Sequence, residues 1–184
     1  MSRLRSQGGF GLVEMVIALV LLNVGLLALV GSLNSGAVAV ARASKISAAT
    51  NLGDQQLSLY RALTWNALAL DDSSVASLVG SDNEYSCDDA LKIDTTAGCS
   101  ASNRKTMSTS TECASPLPTQ CIPSRTVIGQ GGGSYRIDTY IVVEAPTGVP
   151  QARPVRIVTV VVRDGNDPTH VWARLSSTFE QTLG

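Results

Sequence analysis

The sequence predicts an α+β protein in which one long N-terminal helix packs on a C-terminal antiparallel β-sheet of three to four strands. An apolar run near the start, a helical repeat of apolar residues after it and alternating segments near the end all point to this class. The 184 residues suffice for one ordinary domain with an appendage. An apolar share of 44% excludes disorder over the whole chain.

The first predicted element is a helix long enough to cross a membrane. Residues 10–33 contain one charge, Glu14, and no proline. A helix of this length spans about 36 Å at about 1.5 Å per residue, and a hydrocarbon core is about 30 Å thick. Arg3 and Arg5 precede the run without an acidic residue, which favours a cytoplasmic N-terminus. We therefore predict a single-pass protein of the cell (inner) membrane.

The second predicted element is an amphipathic helix over residues 34–70, continuous with the first. Its apolar residues recur at steps of four and seven, which is one helical face: Ala48, Leu52, Leu59, Leu63 and Leu70. A sheet with one apolar face needs a cover, and this helix is the expected cover.

Residues 71–124 form a polar, acidic region that we predict to be mainly loop. It holds three basic residues against eight acidic ones, so it lacks the cations that neutralise phosphates, and no nucleic-acid partner is expected. All four cysteines lie here: Cys87, Cys99, Cys113 and Cys121. A loop region this long is expected to be pinned, and in an exported protein the cysteines supply the pins as disulfides.

The sequence leaves three pairings of the four cysteines open. The local pairing, Cys87 with Cys99 and Cys113 with Cys121, is favoured because short loops cost the least entropy to close. Zinc is the alternative, but the separations of 12, 14 and 8 contain no CxxC pair and the lone histidine is the distant His170. We expect no metal site. The acidic region has no EF-hand spacing, but its carboxylates leave calcium binding open.

The last region, residues 125–184, is predicted to be the sheet. Tyr135–Glu144 alternates, Val155–Arg163 is rich in β-branched residues, and Val171–Phe179 alternates again. The turn residues Asp164–Pro168 predict a hairpin between the last two segments. Arg125–Ile128 is a candidate fourth strand.

The alternation in the last strand also assigns its side chains to faces. It places one set on one side of the sheet, namely Val171, Ala173, Leu175 and Phe179, and it places Trp172 and Arg174 on the other.

Enzyme chemistry is not expected, and neither is a cofactor. No Gly-x-Ser-x-Gly elbow accompanies His170, which follows a turn and is interpreted as a solvated loop residue. The glycine run Gly129–Ser134 is not followed by Lys-Ser/Thr or by a helix, so it is interpreted as a flexible strand connection rather than a phosphate loop.

The segment Gly8–Glu14, with the sequence GGFGLVE, resembles the processing site of type IV prepilins and type II secretion pseudopilins. The resemblance covers roughly residues 1–60 and implies the pilin fold. It implies that residues 1–9 are a leader, that a membrane aspartyl peptidase cleaves between Gly9 and Phe10, and that the new amino group of Phe10 is methylated. The apolar helix 10–33 would be retained and would later lie in a filament core.

Glu14 has a physical reason to need a partner. A carboxylate within a bilayer costs about 2.5 kcal/mol or more. Cleavage after Gly9 would create an α-amino group at Phe10, one helical turn away. The resemblance implies that this glutamate pairs with the terminal amine of an adjacent subunit during assembly. A snorkelling acid without a partner is the alternative.

The pattern over Leu12–Ala18 and Leu21–Gly25 is similar to that of PilV-like minor pilins and related minor pseudopilins. That similarity implies these partners: a prepilin peptidase/N-methyltransferase, major and minor pilins, an inner-membrane assembly platform and membrane lipid. The implied final location is the pilus at the cell surface.

Several functional alternatives remain open from the sequence. The chain could be a minor pseudopilin of a type II secretion system, or a permanently anchored extracellular binding protein. A secretory signal peptide cleaved near Ala37–Ala39 is a weaker alternative, because such apolar cores are typically 7–15 residues long. Motility, adhesion and DNA uptake, and a tip or shaft position, are not distinguished.

Overall fold

The structure, a computed structural model, describes residues 11–113, 115–144 and 153–181. It confirms the α+β class: a long helix, α1 (Leu12–Arg61), and a four-stranded antiparallel sheet. The other elements, in chain order, are β1 (Leu70–Asp71), α2 (Asp72–Ser81), α3 (Asn83–Ser86), β2 (Thr109–Ser110), β3 (Ser124–Ile128), β4 (Ser134–Glu144), β5 (Val155–Asp164) and β6 (Val171–Glu180). The chain divides into two compact units, residues 1–44 and residues 45–184.

The first unit consists, where it is described, of the N-terminal part of α1. Every residue from Gly11 to Ser44 is exposed, including the apolar run from Gly11 to Leu33. Within the described ranges, α1 is the one helix long and apolar enough to cross a membrane. The amide of Asn23 donates to the Leu19 carbonyl oxygen at 2.9 Å, so this polar side chain is satisfied inside its own helix. A helix that is apolar and exposed all round requires lipid or other helices as its surroundings.

In the second unit, the part of α1 from Lys45 covers one face of the sheet, whose strand order is β3-β4-β5-β6. The core between them is made of these buried residues: Ala49, Leu57 and Tyr60 from the helix, and Ile137, Ile141, Val158, Val160 and Val162 from the sheet. Gly53 permits the close approach, because a Cβ at this position would lie 2.4 Å from Cδ1 of Leu175.

The helix ends at Arg61 rather than at the predicted residue 70. After a short 3₁₀ turn at Trp65–Ala67 the chain becomes extended, and the Leu70 N–H donates to the Ser108 carbonyl at 3.1 Å. Arg156 donates to the carbonyl oxygens of Trp65 and Leu68, and its guanidinium lies 4.7 Å from the centre of the Trp65 ring. These carbonyls are thus bound by a side chain of the sheet, and the amphipathic helix is shorter than the sequence indicates.

The buried face of α1 also differs from the predicted one. Leu59 is 40% exposed, whereas Gln56 is buried. The Gln56 side chain is satisfied there, since it donates to the Tyr60 hydroxyl at 3.2 Å and accepts from Nη2 of Arg125 at 2.9 Å. The predicted stripe was built from apolar residues alone, so it could not include a glutamine. Gln56 is buried in α1 where Leu59 was expected, and this is why the stripe was wrong at Leu59.

Much of the region 71–124 lies against the opposite face of the sheet, although Val75 of α2 belongs to the first core. The region contains more regular structure than predicted. Helices α2 and α3 begin at aspartate caps: a carboxylate oxygen of Asp71 accepts from the Ser74 N–H, and one of Asp82 accepts from the Tyr85 N–H, each at 2.9 Å. A second core forms beneath them from Tyr85, Leu91, Tyr140, Val142 and Val161. The region is therefore a packed cover, not only a loop.

The two edges of the sheet differ in their backbone hydrogen bonds. The outer side of β4 pairs with β3 over its first half, and the Thr139 N–H then donates to the Pro123 carbonyl at 2.7 Å. Farther along, the Ser108 N–H donates to the Ile141 carbonyl at 2.7 Å. At the other edge, β6 pairs with β5, and within the described residues no backbone hydrogen bond reaches its outer side.

A β-bulge at the start of β6 overturns the predicted position of Trp172. Ala173 pairs with Val162 and Val171 pairs with Arg163, which leaves Trp172 as the extra residue. Trp172 consequently packs on the same side as α1, with Lys45 Nζ 5.3 Å from its ring centre. Strict alternation places it on the opposite side, and the inserted residue is the physical reason for the error. The same bulge places Val171 with Arg163 and Arg174, not with Ala173 and Leu175 as predicted.

Candidate functional site

The predicted processing positions, Gly9 and Phe10, and the leader at residues 1–9 lie outside the described residues. The description begins at Gly11, whose carbonyl oxygen accepts from the N–H groups of Glu14 at 2.9 Å and Met15 at 3.3 Å. These bonds start α1 at Leu12, the second of the described residues.

Glu14 lies in the first turn of α1 with its side chain exposed. A carboxylate at this position is favoured because the N–H groups of the first turn have no partners within the helix. Among the ion pairs of the described residues none involves Glu14.

The four cysteines form two disulfides in the local pairing that the sequence favours. Cys87 joins Cys99 with Cα atoms 5.2 Å apart, and Cys113 joins Cys121 with Cα atoms 6.3 Å apart. The first bond closes the segment after α3, and the second closes the segment before β3. Both disulfides therefore lie within the cover formed by residues 71–124.

Three arginines attach this cover to the sheet, one each from β4, β5 and β6. Asp138 is fully buried and accepts from Nε of Arg136 at 2.8 Å and from Nε of Arg163 at 3.0 Å. Arg136 also reaches across to Asp82, with its Nη1 2.7 Å from a carboxylate oxygen. A buried charge requires such pairing because its transfer from water is costly.

Asp88, the residue after Cys87, is the second point of attachment. The residue is 5% exposed, and its carboxylate accepts from Nη1 and Nη2 of Arg174 at 2.7 and 2.9 Å. It also accepts from Nη2 of Arg163, and the same Nη2 donates to the Glu84 carbonyl oxygen at 3.0 Å. Two acids of the polar region are thus neutralised at the sheet rather than exposed to solvent.

A cavity of about 360 Å³ opens beside this network. It is lined by Asn83, Glu84, Cys87, Asp88, Asp89, Arg163, Val171 and Arg174. Since Asp88 is already paired with two arginines, the polar groups at the base of the cavity are occupied by each other. The arrangement explains how the cover is attached to the sheet.

The sequence reasoning missed this network. The sequence offers one signal for the network, which is the presence of arginines within strands of alternating residues: Arg136, Arg163 and Arg174. Their carboxylate partners Asp82 and Asp88 lie tens of residues away along the chain, so the pairing follows from the topology alone.

The network predicts a loss of stability in acid. Burial raises the pKa of the Asp82 carboxyl. The Tyr85 N–H and the Arg136 guanidinium together lower this pKa by more than burial raises it, so the pKa lies below its usual value. The resulting stabilisation is complete above the unfolded-state pKa of about 3.9 and is lost as the pH falls through the folded-state pKa. We expect the free energy of unfolding to fall progressively as the pH drops below about 5, and to fall less in Asp82→Asn.

Urea unfolding of the full chain in detergent, followed by near-ultraviolet circular dichroism at several pH values, measures this effect. Lys92→Ala, which removes the exposed 3.1 Å pair with Asp89, is the control and should give a profile parallel to that of the wild type. An Asp82→Asn profile identical to the wild type would refute the assignment.

The N-terminal part of the chain matches one family model, described as the prokaryotic N-terminal methylation motif, over residues 4–30. This is the prepilin-type motif of type IV pilins, and it confirms the resemblance found in Gly8–Glu14. No curated protein and no solved structure is significantly similar to the chain. The PilV-like subtype and the individual roles of Gly9, Phe10 and Glu14 stay predictions.

Proposed function

We propose that the chain, which carries the prepilin-type methylation motif of type IV pilins, is a PilV-like minor pilin. It is cleaved and methylated by a prepilin peptidase, and it then enters a type IV pilus or primes pilus assembly. The supporting observation is a motif-bearing helix that is exposed at every residue from Gly11 to Ser44 and predominantly apolar as far as Leu33. Such a helix suits both a bilayer before assembly and a bundle of like helices afterwards.

The proposal assigns a role to each segment. Residues 1–9 are the leader, residues 10–33 lie in the membrane and later in the filament core, and the remainder is exported. The two disulfides and the buried Asp138 network stabilise the exported part in an oxidising compartment. Major and minor pilins, the inner-membrane assembly platform and membrane lipid are its partners, and its final location is the pilus at the cell surface.

Residues Gly9, Phe10 and Glu14 carry the processing and assembly steps in this proposal. The peptidase cleaves after Gly9, and the exposed amine of Phe10 is methylated. Glu14 lies one helical turn from that amine, and its side chain is exposed in the first turn of α1. The carboxylate of one subunit then pairs with the amine of the next.

A minor pseudopilin of a type II secretion system is the second candidate. The same methylation motif over residues 4–30 supports it, because the two classes share this processing site. The two candidates differ in the machine that they serve and not in their processing.

The test is intact and N-terminal mass spectrometry of the protein from native membranes and sheared surface filaments. We expect a chain that begins at Phe10, carries one added methyl group and is two hydrogens lighter for each of its two disulfides. Gly9→Leu should block this cleavage, whereas Gly8→Leu is the matched control. A chain beginning at Met1 or Ser2 would instead establish a permanent anchor, and one beginning near Val40 a secreted domain.

A further inference from the structure

The two outer strands of the sheet, β3 and β6, run in opposite directions. The strand order is β3-β4-β5-β6, and each neighbouring pair is antiparallel. Within the described residues, no backbone hydrogen bond reaches the outer side of β3, as is also the case for β6. Unpaired edges of this kind can bind another strand. When two copies of the chain lie side by side and point the same way, β3 of one copy is antiparallel to β6 of the other.

The backbone groups at the edge of β6 belong to alternate residues. The Asp164 N–H donates to the His170 carbonyl oxygen at 2.9 Å, so the even-numbered residues of β5 face β6. Their partners on β6 are Ala173, Leu175 and Ser177. The outward N–H and C=O groups therefore belong to the remaining residues of the strand: Arg174, Ser176, Thr178 and Glu180. All four side chains are exposed, and they project on the face away from α1.

The edge of β3 has the same arrangement. The residues on either side of the strand, Pro123 and Gly129, form backbone hydrogen bonds on its inner side. The outward N–H and C=O groups therefore belong to these residues: Ser124, Thr126 and Ile128. Val127 packs on the core beneath α1, so its two neighbours project on the other face, where Ile128 is 71% exposed. At both edges, the residues with outward backbone groups thus carry their side chains on the same face of the sheet.

The bulge in β6 limits the register between the two edges. Facing residues must share a face, so the register changes only in steps of two residues. Ile128 of a second copy does not match Trp172, because Trp172 is the bulged residue and packs on the side of α1. The first register on the regular part of β6 places Ile128 opposite Arg174. The aliphatic stem of that arginine can cover the exposed isoleucine.

The other facing pairs of this register are complementary. Val127 of the second copy lies opposite Leu175 on the side of α1, and Thr126 lies opposite Ser176 on the other side. Apolar pairs and hydroxyl pairs at facing positions both stabilise antiparallel strands. The next register, two residues farther along β6, places Val127 opposite Ser177 and loses the apolar pair.

We propose that β3 of a second copy of this chain pairs head to tail with β6 of the first, in this register. Within one copy, Ser124 lies level with Arg174 across the sheet. The second copy's Ile128 takes that level, so this copy is displaced by four residues, about 13 Å at roughly 3.3 Å per residue. The packed parts of α1 run in the same direction in both copies. A displaced head-to-tail contact builds an open filament rather than a closed pair. The pairing uses the second unit alone, and its place in a pilus rests on the proposed function.

The test is cysteine cross-linking of the full chain in detergent under mild oxidation, with the native disulfides kept closed. A mixture of Thr126→Cys and Ser176→Cys should form a covalent dimer. The facing Cα atoms of such a hydrogen-bonded pair lie about 5.5 Å apart, within the range that a disulfide spans. Neither variant should cross-link alone, and a chain that carries both should form a ladder of larger oligomers. Thr126→Cys mixed with Ser58→Cys, on an exposed part of α1, gives the background level.

A change of charge at Ile128 tests the facing arginine. Ile128→Arg in the Thr126→Cys chain should reduce the cross-linked yield about fivefold, because it places two arginines opposite each other. Ile128→Glu, the matched control at the same position, should keep or raise the yield, since it faces Arg174 with an opposite charge. Ile93→Arg, at another exposed isoleucine of the same unit, should leave the yield unchanged.

Several results would overturn the proposal. Background-level yield from the mixture would exclude the contact, and cross-linking of Ser176→Cys with itself would show a two-fold pair instead. An equal effect of Ile128→Arg and Ile128→Glu would exclude the facing arginine. A yield with Thr178→Cys as high as that with Ser176→Cys would contradict the register and the displacement. None of these results changes the mass of the processed chain, so the proposed function is tested separately.

Discussion

Replacing Glu14 by alanine is expected to remove the chain from filaments while leaving cleavage after Gly9 intact. In the proposed assembly, the Glu14 carboxylate neutralises the amine of Phe10 on a neighbouring subunit. Without it, that amine enters the apolar core unpaired, at a cost of about 2.5–3.5 kcal/mol. Since about 1.4 kcal/mol corresponds to a factor of ten, incorporation should fall by about 100-fold.

The amount of the chain in sheared filaments, relative to the membrane pool, measures this effect. Asn23→Ala is the matched control in the same apolar segment, because the Asn23 amide is already satisfied by the Leu19 carbonyl and its loss should change little. Wild-type incorporation of Glu14→Ala would show that the carboxylate is an unpartnered acid at the membrane edge. A block in cleavage would place its role before assembly.

Replacing Arg163 by alanine should destabilise the second unit by about 3–5 kcal/mol, the usual cost of removing one partner from a buried ion pair. Arg163 is 5% exposed and contacts the carboxylates of both Asp88 and Asp138. It also donates to the Pro168 carbonyl at 3.0 Å. Its loss would remove a positive charge and a hydrogen-bond donor from each of the two buried carboxylates beneath the cover.

Urea unfolding of the full chain in detergent, monitored through the stacked Tyr85 and Tyr140 rings 4.6 Å apart, measures the change. Lys105→Ala breaks the partly exposed 2.8 Å pair with Glu144 and should cost at most about 1 kcal/mol. Arg163→Lys keeps the charge but not the several donors, so it provides an intermediate case if the alanine variant does not fold. A cost for Arg163→Ala no larger than that of the control would contradict the role of the network.

The alternation of side chains predicted the sheet well, because β4 follows the two-residue period along its whole buried length. The same rule failed at Trp172, where one inserted residue changes the face of the strand. No local pattern marks such a bulge, because a tryptophan is compatible with either face of a strand. The position is decided by contacts with Lys45 and Asp164, which lie elsewhere in the sequence.

The apolar repeat predicted the existence of the long helix but not its end. Helical spacing continues past Arg61 to Leu70, yet Arg156 from β5 binds the carbonyls that a continuing helix would use. The acidic region shows the same limit, because its composition indicates charge but not which carboxylates meet Arg136 or Arg163. Processing differs in kind: its signal is a short contiguous motif, readable without knowledge of the fold.

The two tryptophans of the chain provide a spectroscopic consequence of the helix packing. Trp172 lies beside Lys45, where the packed part of α1 begins, and Trp65 stacks on Arg156 just beyond its end. Each indole therefore faces a different cation and reports on a different end of the same contact. With one of them replaced by phenylalanine, the fluorescence of the other would follow the release of one end of the helix from the sheet, without an added label.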